Sequence, residues 1–188
     1  MITLQEYILE GVQARKSVHL EQIARFSQKL REVFENKGKL IAFGNGGSAA
    51  DAQHFVGELD GHFTLERKAL PAIALSTNTS SITAIGNDYS YEDIFSRPVS
   101  ALATDKDVVV GISTSGNSPN VVKAIQEAKK KGAYAVALTG KSGGKLLGLV
   151  DELFAVQSDF TPIIQEVHIS IIHMVCLELD RMMSPPPK

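Results

Sequence analysis

A histidine and a glutamate four positions apart, His54 and Glu58, are the pair in this sequence best suited to chemistry. Residues at i and i+4 share one face of a helix, so the imidazole and the carboxylate would lie side by side. Such a pair can bind a divalent metal ion, or it can supply a general base with an orienting partner. The alternative is a surface pair with a small effect on stability. We favour a functional pair because a glycine-rich loop directly precedes it.

A second group of polar residues interrupts an apolar stretch near the C-terminus. It consists of Gln165, Glu166, His168 and His173 among isoleucine and valine residues. Buried polar groups are costly without partners, so these side chains need hydrogen bonds or ligands. We interpret His168 as an ordinary core histidine and Glu166 as a structural salt-bridge partner.

Two polar loops have the composition of phosphate-binding loops. Residues 44–48 (GNGGS) follow the first predicted strand, and residues 113–120 follow the third and carry four hydroxyl groups. Glycines let the backbone approach a ligand, and the helix start that follows favours an anion. Each loop alone could be a turn that caps the next helix. Two such loops at the same edge of one sheet favour phosphate, whereas residues 139–144 are interpreted as a turn.

Short apolar runs that alternate with helical stretches predict the scaffold for these groups. Strands are predicted at residues 40–43, 72–75, 108–112, 133–138 and 153–156. Helices are predicted at residues 48–59, 79–86, 91–102, 120–131 and 162–183, with a break at Asn87 and Asp88. Buried strands separated by helices indicate a parallel sheet with right-handed crossovers. The expected fold class is therefore α/β, with three layers and a five-stranded parallel sheet flanked by helices.

The N-terminal segment, residues 1–38, has the pattern of two helices or one bent helix. It cannot bury its apolar face alone, so it must dock on the rest of the chain or on another subunit. We expect a single domain over residues 1–188, with an α/β core at 39–184 and a tail at 185–188.

Composition excludes several classes of protein. The 188 residues include 19 Lys plus Arg and 21 Asp plus Glu, so the formal charge of −2 offers no basic excess for nucleic acid or membrane surfaces. The one cysteine, Cys176, excludes an intrachain disulfide and a four-cysteine zinc site. The N-terminus lacks the pattern of a signal peptide, and no apolar run approaches the ~20 residues of a membrane span. We expect a cytoplasmic protein that binds neither nucleic acid nor membranes.

Five segments together resemble a known family. They are GNGGSAADAQHF at 44–55, AIGNDYSYEDIFSR at 84–97, GISTSGNSPNV at 111–121, LTGKSGG at 138–144 and IQEVHISIIH at 164–173. In this order and spacing the chain is similar to the sugar isomerase (SIS) family and, within it, to the sedoheptulose-7-phosphate (phosphoheptose) isomerases. The resemblance covers most of residues 40–175. Three places depart from the family pattern, at His62, Asn78 and Pro162-Ile163.

The resemblance implies the SIS fold and an aldose–ketose isomerase that interconverts sedoheptulose 7-phosphate and D-glycero-D-manno-heptose 7-phosphate. This reaction would serve heptose synthesis for lipopolysaccharide or related glycans. It also implies a homotetramer with active sites at subunit interfaces, where the N-terminal helices pack.

The resemblance further implies one zinc ion per subunit, with His54, Glu58, Gln165 and His173 as ligands. Glu58 and His173 would form the acid–base pair. The implied substrate contacts, most of them in the polar loops, are Asn45, Gly46, Gly47, Ser48, Glu58, Asn87, Asp88, Ser113, Thr114, Ser115, Ser118 and Gln165.

An isomerase of this kind moves a proton between C1 and C2 through an enediol, with Glu58 as base and His173 as acid. Zinc would polarise the carbonyl and hydroxyl oxygens. Because zinc ligation lowers the basicity of both groups, either one of them leaves the metal during turnover or the zinc holds only part of the substrate.

Helix geometry adds a constraint on the ligand set. Gln165 and His173 are eight residues apart on one predicted helix, so their backbones differ by roughly 12 Å along the axis and roughly 80° in direction. The two side chains therefore reach one ion from two different chains, or they lean toward each other, or the helix is irregular near Gln165.

Two other function classes compete with the enzyme. A non-catalytic tetrameric SIS adaptor of the type that associates with a replication initiator needs no metal site, whereas this chain has both ligand pairs. A sugar-phosphate-sensing transcription regulator needs a DNA-binding module, and residues 1–38 contain no basic recognition helix.

Overall fold

The computed structural model describes residues 2–185 and contains one sheet of five parallel strands. The strands are β1 (Leu40–Gly44), β2 (Ala72–Ala74), β3 (Val108–Ile112), β4 (Tyr134–Gly140) and β5 (Glu152–Val156). Their spatial order is β2-β1-β3-β4-β5, with Leu40 paired to Val108 and Val108 paired to Tyr134. This order confirms the predicted α/β fold class with a five-stranded parallel sheet.

Helices and short turns connect these strands. The α-helices are α1 (Leu4–Lys16), α2 (Leu20–Glu35), α3 (Gly47–Asp60), α4 (Thr79–Asp88), α5 (Ser96–Leu102), α6 (Pro119–Lys130) and α7 (Thr161–Met183). Two 3₁₀ turns lie at Tyr91–Asp93 and Gly144–Leu146. Of the predicted tail at 185–188, Pro185 follows α7 without regular structure, and residues 186–188 lie outside the described residues.

The sheet is buried on both faces, which gives the three predicted layers. Leu40 and Ala42 point into a core formed with α1, α2, α3 and α7. Ile41 and Phe43 point into a second core on the opposite face, formed mainly with α5 and α6. The alternation follows from the two-residue period of a strand, and burial on both faces explains why the strands are apolar throughout.

The segment between residues 79 and 102 differs from the prediction. Asn87 and Asp88 are the last residues of α4 and do not break a helix. The helix predicted at 91–102 is a 3₁₀ turn followed by the seven-residue α5. Helix α4 buries none of its side chains fully, so its sequence carries little periodic signal for its end.

Helix α7 is the one helix within residues 2–185 that could cross a membrane by length and composition alone. The expectation that no apolar run approaches the length of a membrane span is therefore wrong for α7. However, 56% of its most apolar 18-residue window is buried inside the protein. Packing against α1, α2 and α3 accounts for its apolar composition.

The N-terminal segment forms two separate helices that dock on α7. Thr3 and Glu6 form a capping box that starts α1. Docking leaves a second apolar stripe of α1 exposed, formed by Leu4, Ile8, Leu9 and Val12. Within the described chain no element covers this stripe, so docking on α7 satisfies only one face of α1.

Candidate active site

The glycine-rich loop places the start of α3 directly at the carboxyl end of β1. Gly46 has a φ of 55°, a left-handed conformation that favours glycine. The backbone N–H of Ser48 donates to the carbonyl of Asn45 at 3.0 Å, which begins the helix. No side chain caps α3, so the capping alternative does not explain the loop's composition. The free N–H groups at this helix start can receive an anion.

Asn45 ties this loop to two other segments. Its side-chain amide exchanges two hydrogen bonds with the amide of Asn120, at 3.0 and 2.9 Å. The hydroxyl of Tyr91 donates to the Asn45 side-chain oxygen at 3.2 Å. Asn120 and Tyr91 were missed as site residues because each contact joins segments distant in sequence. Asn87 and Asp88 lie exposed at the end of α4, where the Asn87 amide donates to the Asp88 carboxylate at 2.8 Å.

The serine-rich loop lies at the carboxyl end of β3, next to the first loop. The hydroxyls of Ser113 and Ser118 are 2.9 Å apart, and Ser118 makes no side-chain cap to α6. Thr114 is half-buried and Ser115 is exposed, and the Ser115 hydroxyl accepts from the backbone N–H of Asn117 at 3.1 Å. The structure thus brings both polar loops to one edge of the sheet, as expected for adjacent parallel strands.

The loop at 139–144 supports the serine-rich loop and is more than a turn. The backbone N–H of Gly140 donates to the carbonyl of Thr114 at 2.8 Å. A Cβ added to Gly116, which has a φ of 66°, would lie 2.1 Å from the carbonyl oxygen of Gly143. The backbone N–H of Lys145 donates to the side-chain oxygen of Asn117 at 3.0 Å. Only glycine at position 116 permits this close approach of two backbones.

The histidine–glutamate pair predicted on α3 is formed, and His173 of α7 joins it. The His54 Nε2 atom lies 2.8 Å from Glu58 Oε1 and 3.2 Å from His173 Nε2. Their ligand atoms all lie within 4.8 Å of one another, and residues 2–185 contain no other His, Cys, Asp or Glu group of this kind. Ligand atoms on tetrahedral zinc are about 3.3 Å apart, so two of the three separations are close to what zinc requires. Two imidazole nitrogens that face each other must share a proton or a cation.

The surroundings of His173 favour its neutral form. Partial burial lowers the pKa of His173, and the nearby positive charges of His54 and Arg15 lower it further, while Glu58 opposes them. The ring of Phe63 stacks on His173 with centroids 5.1 Å apart. A neutral imidazole is the form that binds a metal ion, so the environment fits the ligand assignment.

Gln165 does not join this cluster within the chain. Its side chain lies against Gly47, where an added Cβ would be 2.6 Å from Gln165 Nε2. Gly47 begins α3, two helical turns before His54, or roughly 10 Å along the axis. Three of the four implied ligands therefore converge, and the fourth lies with the glycine-rich loop.

Asp51 lies one turn before His54 on the same face of α3 and was not singled out from the sequence. One of its carboxylate oxygens is buried and has no hydrogen-bond partner. Burial raises the pKa of Asp51 to about 6, against a smaller opposing effect of His54. The signal that could have found it is its spacing, because residues 51, 54 and 58 share one helix face.

The other polar residues of α7 have structural partners. The Tyr7 hydroxyl of α1 donates to Glu166, so Glu166 holds α1 through a hydrogen bond and not through a salt bridge. His168 is fully buried, with Nε2 at 3.1 Å from the carbonyl of Thr139, as expected for a core histidine. Outside α7, Asn78 is one of the positions that depart from the family pattern. Its side-chain oxygen caps α4 by accepting from the backbone N–H of Ser81 at 3.0 Å.

Comparison with known proteins decides the family. The family model described as SIS domain matches residues 5–140. A probable phosphoheptose isomerase of Thermoplasma acidophilum is 58% identical over 176 residues, which cover 94% of this chain and 97% of that protein. The phosphoheptose isomerase of Helicobacter pylori strain P12 is 51% identical over 175 residues, covering 92% and 86%. The chain belongs to the phosphoheptose isomerase family of SIS-domain proteins.

Solved structures of the phosphoheptose isomerase family share this fold. The phosphoheptose isomerase of Neisseria gonorrhoeae superimposes with a TM-score of 0.88 at 42% identity, covering 95% of this chain and 100% of that chain. Membership of the phosphoheptose isomerase family confirms the resemblance, the SIS fold and the prediction that the chain is an enzyme of the isomerase class.

Proposed function

We propose that this protein interconverts sedoheptulose 7-phosphate and D-glycero-D-manno-heptose 7-phosphate. The observation that carries the proposal is the convergence of His173, on α7, with His54 and Glu58, on the helix that starts at the glycine-rich loop. A metal-competent acid–base cluster beside a phosphate-competent loop is what an isomerase of sugar phosphates needs. Membership of the phosphoheptose isomerase family supports the substrate.

The donor set fits zinc. Imidazole nitrogens and carboxylate oxygens are both ligands that zinc accepts, and this cluster offers two of the former and one of the latter. His54, Glu58 and His173 would hold the ion, with Gln165 as the fourth protein ligand. When bound, zinc polarises the oxygens at C1 and C2 of the sugar and stabilises developing negative charge.

Glu58 and His173 supply the proton transfers. In the ketose-to-aldose direction, Glu58 removes a proton from C1, and a proton returns to C2 after the enediol has formed. His173 acts as the acid that donates a proton to the substrate, and it does so while its imidazole is released from the metal, because a ligating nitrogen carries no proton. A general base of this kind contributes about 10²–10⁴-fold to the rate, so Glu58→Gln is expected to lower kcat by at least 10²-fold.

The two polar loops hold the phosphorylated sugar. Ser113, Thr114, Ser115 and Ser118 bind the 7-phosphate with hydroxyl and backbone donors. The first loop, with Asn45, Gly46, Gly47 and Ser48, contacts the sugar together with Glu58, Asn87, Asp88 and Gln165. Because no lysine or arginine lies in either loop, neutral donors and helix N-termini must supply the affinity.

The enzyme assembles as a homotetramer in the cytoplasm, with sites at subunit interfaces, and its product serves lipopolysaccharide or related heptose-containing glycans. The exposed stripe of Leu4, Ile8, Leu9 and Val12 supports assembly, because an apolar helix face of this kind is a typical subunit contact. The domain boundaries predicted from the sequence are part of this proposal, with residues 1–38 at the interface and the α/β core at 39–184.

The zinc assignment has a matched control in the same chain. His62 and Glu66 are also a histidine and a glutamate four residues apart, with Nε2 and Oε2 at 3.7 Å, but within residues 2–185 no third His, Cys, Asp or Glu joins them. Wild-type protein and His62→Ala are expected to retain about one zinc per chain, whereas His54→Ala and His173→Ala lose it. Full zinc occupancy in both His54→Ala and His173→Ala would overturn the assignment. A wild-type protein that is inactive and holds no zinc would favour the alternative function, a non-catalytic SIS adaptor.

A further inference from the structure

A fully buried ion pair lies behind the catalytic cluster. Arg67, in the segment between α3 and β2, places Nε 2.9 Å from Oδ1 of Asp180 on α7, and both side chains have 0% of their surface exposed. Taking two charges out of water is costly, and a buried pair is weak evidence for added stability. The contacts around the pair indicate what else it does.

Arg67 holds the end of the helix that carries Glu58. Its guanidinium donates to the carbonyls of Glu58 at 2.6 Å and Leu59 at 3.0 Å, and also to those of Gly61 and Lys68 at 3.1 Å. The last four carbonyls of a helix have no partner within it, and a cation at that end also interacts favourably with the helix dipole. The orientation of the last turn of α3 therefore depends on Arg67.

Asp180 holds the segment that covers His173. Its second carboxylate oxygen accepts from the backbone N–H groups of Thr64 and Leu65, at 2.6 and 2.8 Å, and from the Thr64 hydroxyl at 3.2 Å. Phe63, which stacks on His173, directly precedes this anchor. Asp180 is seven residues after His173, so both face the same side of α7.

We propose that Arg67 and Asp180 are positioning residues that fix Glu58 of α3 and His173 of α7 relative to each other. Neither forms a hydrogen bond to the side chains of His54, Glu58 or His173; Arg67 acts through the main chain of Glu58, and Asp180 acts through Phe63. The proposal rests on the proposed function for the roles of Glu58 and His173.

The chain contains a matched control for Asp180. Asp107 accepts from the same set of groups: two backbone N–H groups, one threonine hydroxyl and one cationic side chain, supplied by Lys39 and Thr104. It lies at the amino ends of β1 and β3, and none of its partners belongs to α3 or α7. A purely structural effect of losing a buried carboxylate should therefore appear in Asp107→Asn as well.

The first measurement uses metal-free protein. The Hε1 proton resonance of His173 is assigned by its loss in His173→Gln. Its chemical shift depends on the stacked ring of Phe63, and Phe63→Leu gives the chemical shift without that ring. Asp180→Asn is expected to move the resonance toward the position in Phe63→Leu, whereas Asp107→Asn leaves it unchanged.

The second measurement uses zinc titration and steady-state kinetics at a temperature where both variants are folded. Asp180→Asn is expected to raise the zinc dissociation constant and to lower kcat, each by about 10–100-fold, as for other residues that orient metal ligands. The KM for the sugar phosphate should stay within about threefold, because the phosphate loops are not touched. Asp107→Asn should change none of the three.

Equal behaviour of the two variants in the resonance, zinc affinity and kcat would overturn the positioning role, with the proposed function left standing. If wild-type protein failed to turn over the sugar phosphate while only Asp180→Asn moved the resonance, the proposed function would fail and the positioning role would stand.

If Asp180→Asn does not fold, the variants Thr64→Val and Thr104→Val replace it as the test. Each removes one hydroxyl that donates to a buried carboxylate, Asp180 in the first case and Asp107 in the second. A shift of the His173 resonance in Thr64→Val alone supports the proposal, and equal resonances contradict it.

Discussion

At the scale of single residues, the side chains of α7 divide between the cluster and the core. His173 points to His54, whereas His168, five residues earlier, is fully buried and hydrogen-bonded to the carbonyl of Thr139. Burial lowers the pKa of His168 to about 4, and the hydrogen bond to the Thr139 carbonyl opposes this shift by favouring the protonated form. Its Nδ1 atom is buried without a partner, so a second proton would place an unpaired charge in the core.

The pKa of His168 predicts a loss of stability in mild acid. The unfolded chain, with a histidine pKa of 6.5, binds more protons than the folded chain between pH 6.5 and 4. Stability is therefore fully present above pH 6.5 and declines as pH falls toward 4, by about 2 kcal/mol between pH 7.5 and 5. His168→Gln keeps a donor for Thr139 and removes the titration, so its free energy of unfolding should fall less over this range. Parallel pH dependences in urea unfolding, at equal protein concentrations, would contradict the assignment.

Single residues also mark the limit of what the sequence could predict. The spacing of His54 and Glu58 predicts a shared helix face, and the structure forms that pair at 2.8 Å. His173 was added by family resemblance, because 115 residues of sequence separate it from Glu58 and no local pattern joins them. Separations of 113 and 75 residues likewise hide the pairing of Arg67 with Asp180 and of Asn45 with Asn120. The roles given to the site residues stay predictions.

At the scale of elements, the strands and most helices were predicted within about two residues, but the helix predicted at 91–102 was wrong, because that segment is a 3₁₀ turn followed by the seven-residue α5. Helices α2 and α7 and the central strands β1, β3 and β4 have continuous buried faces, whereas α4 buries no side chain fully and extends two residues beyond its predicted end. The support that the loop at 139–144 gives to the serine-rich loop was missed, because a close approach of two backbones leaves no local signal beyond a glycine.

That close approach predicts a large effect of Gly116→Ala. The added methyl group would meet the carbonyl of Gly143 at 2.1 Å in a left-handed backbone, so we expect a loss of about 2–4 kcal/mol in unfolding free energy and a raised KM for the phosphorylated sugar. Gly148 separates the effect of the contact with Gly143 from the effect of a left-handed backbone. Its φ of 84° is also left-handed, but nothing lies within 4 Å of an added Cβ. Gly148→Ala should lose only about 1–2 kcal/mol and leave the KM unchanged. Similar losses of unfolding free energy in Gly116→Ala and Gly148→Ala would show that the contact between the two loops does not cause the loss.

At the scale of the whole molecule, the position of Gln165 bears on assembly. Gln165 lies against Gly47 and His173 lies against His54, so the two implied ligands contact α3 at its first residue and at its middle. Helix geometry places their backbones roughly 12 Å apart along α7. A site shared between subunits would let Gln165 of one chain complete the cluster of another.

Mixing inactive variants tests the shared site. Gln165→Ala and His173→Ala subunits, each inactive alone, are expected to regain part of the wild-type activity when they exchange, because some sites then receive both intact side chains. Each variant exchanged with itself is the control. No recovery in oligomers that are shown to have exchanged would mean that both residues serve one site from one chain.

The central claim is that Glu58 and His173 move a proton between C1 and C2 of a phosphorylated seven-carbon sugar. Incubation of zinc-loaded protein with sedoheptulose 7-phosphate in D₂O, followed by NMR, tests it most directly. An enediol allows exchange with solvent, so the account predicts D-glycero-D-manno-heptose 7-phosphate with deuterium at C2, formed at least 10²-fold more slowly by Glu58→Gln. Absence of any aldose heptose phosphate, with zinc bound and the protein folded, would contradict it.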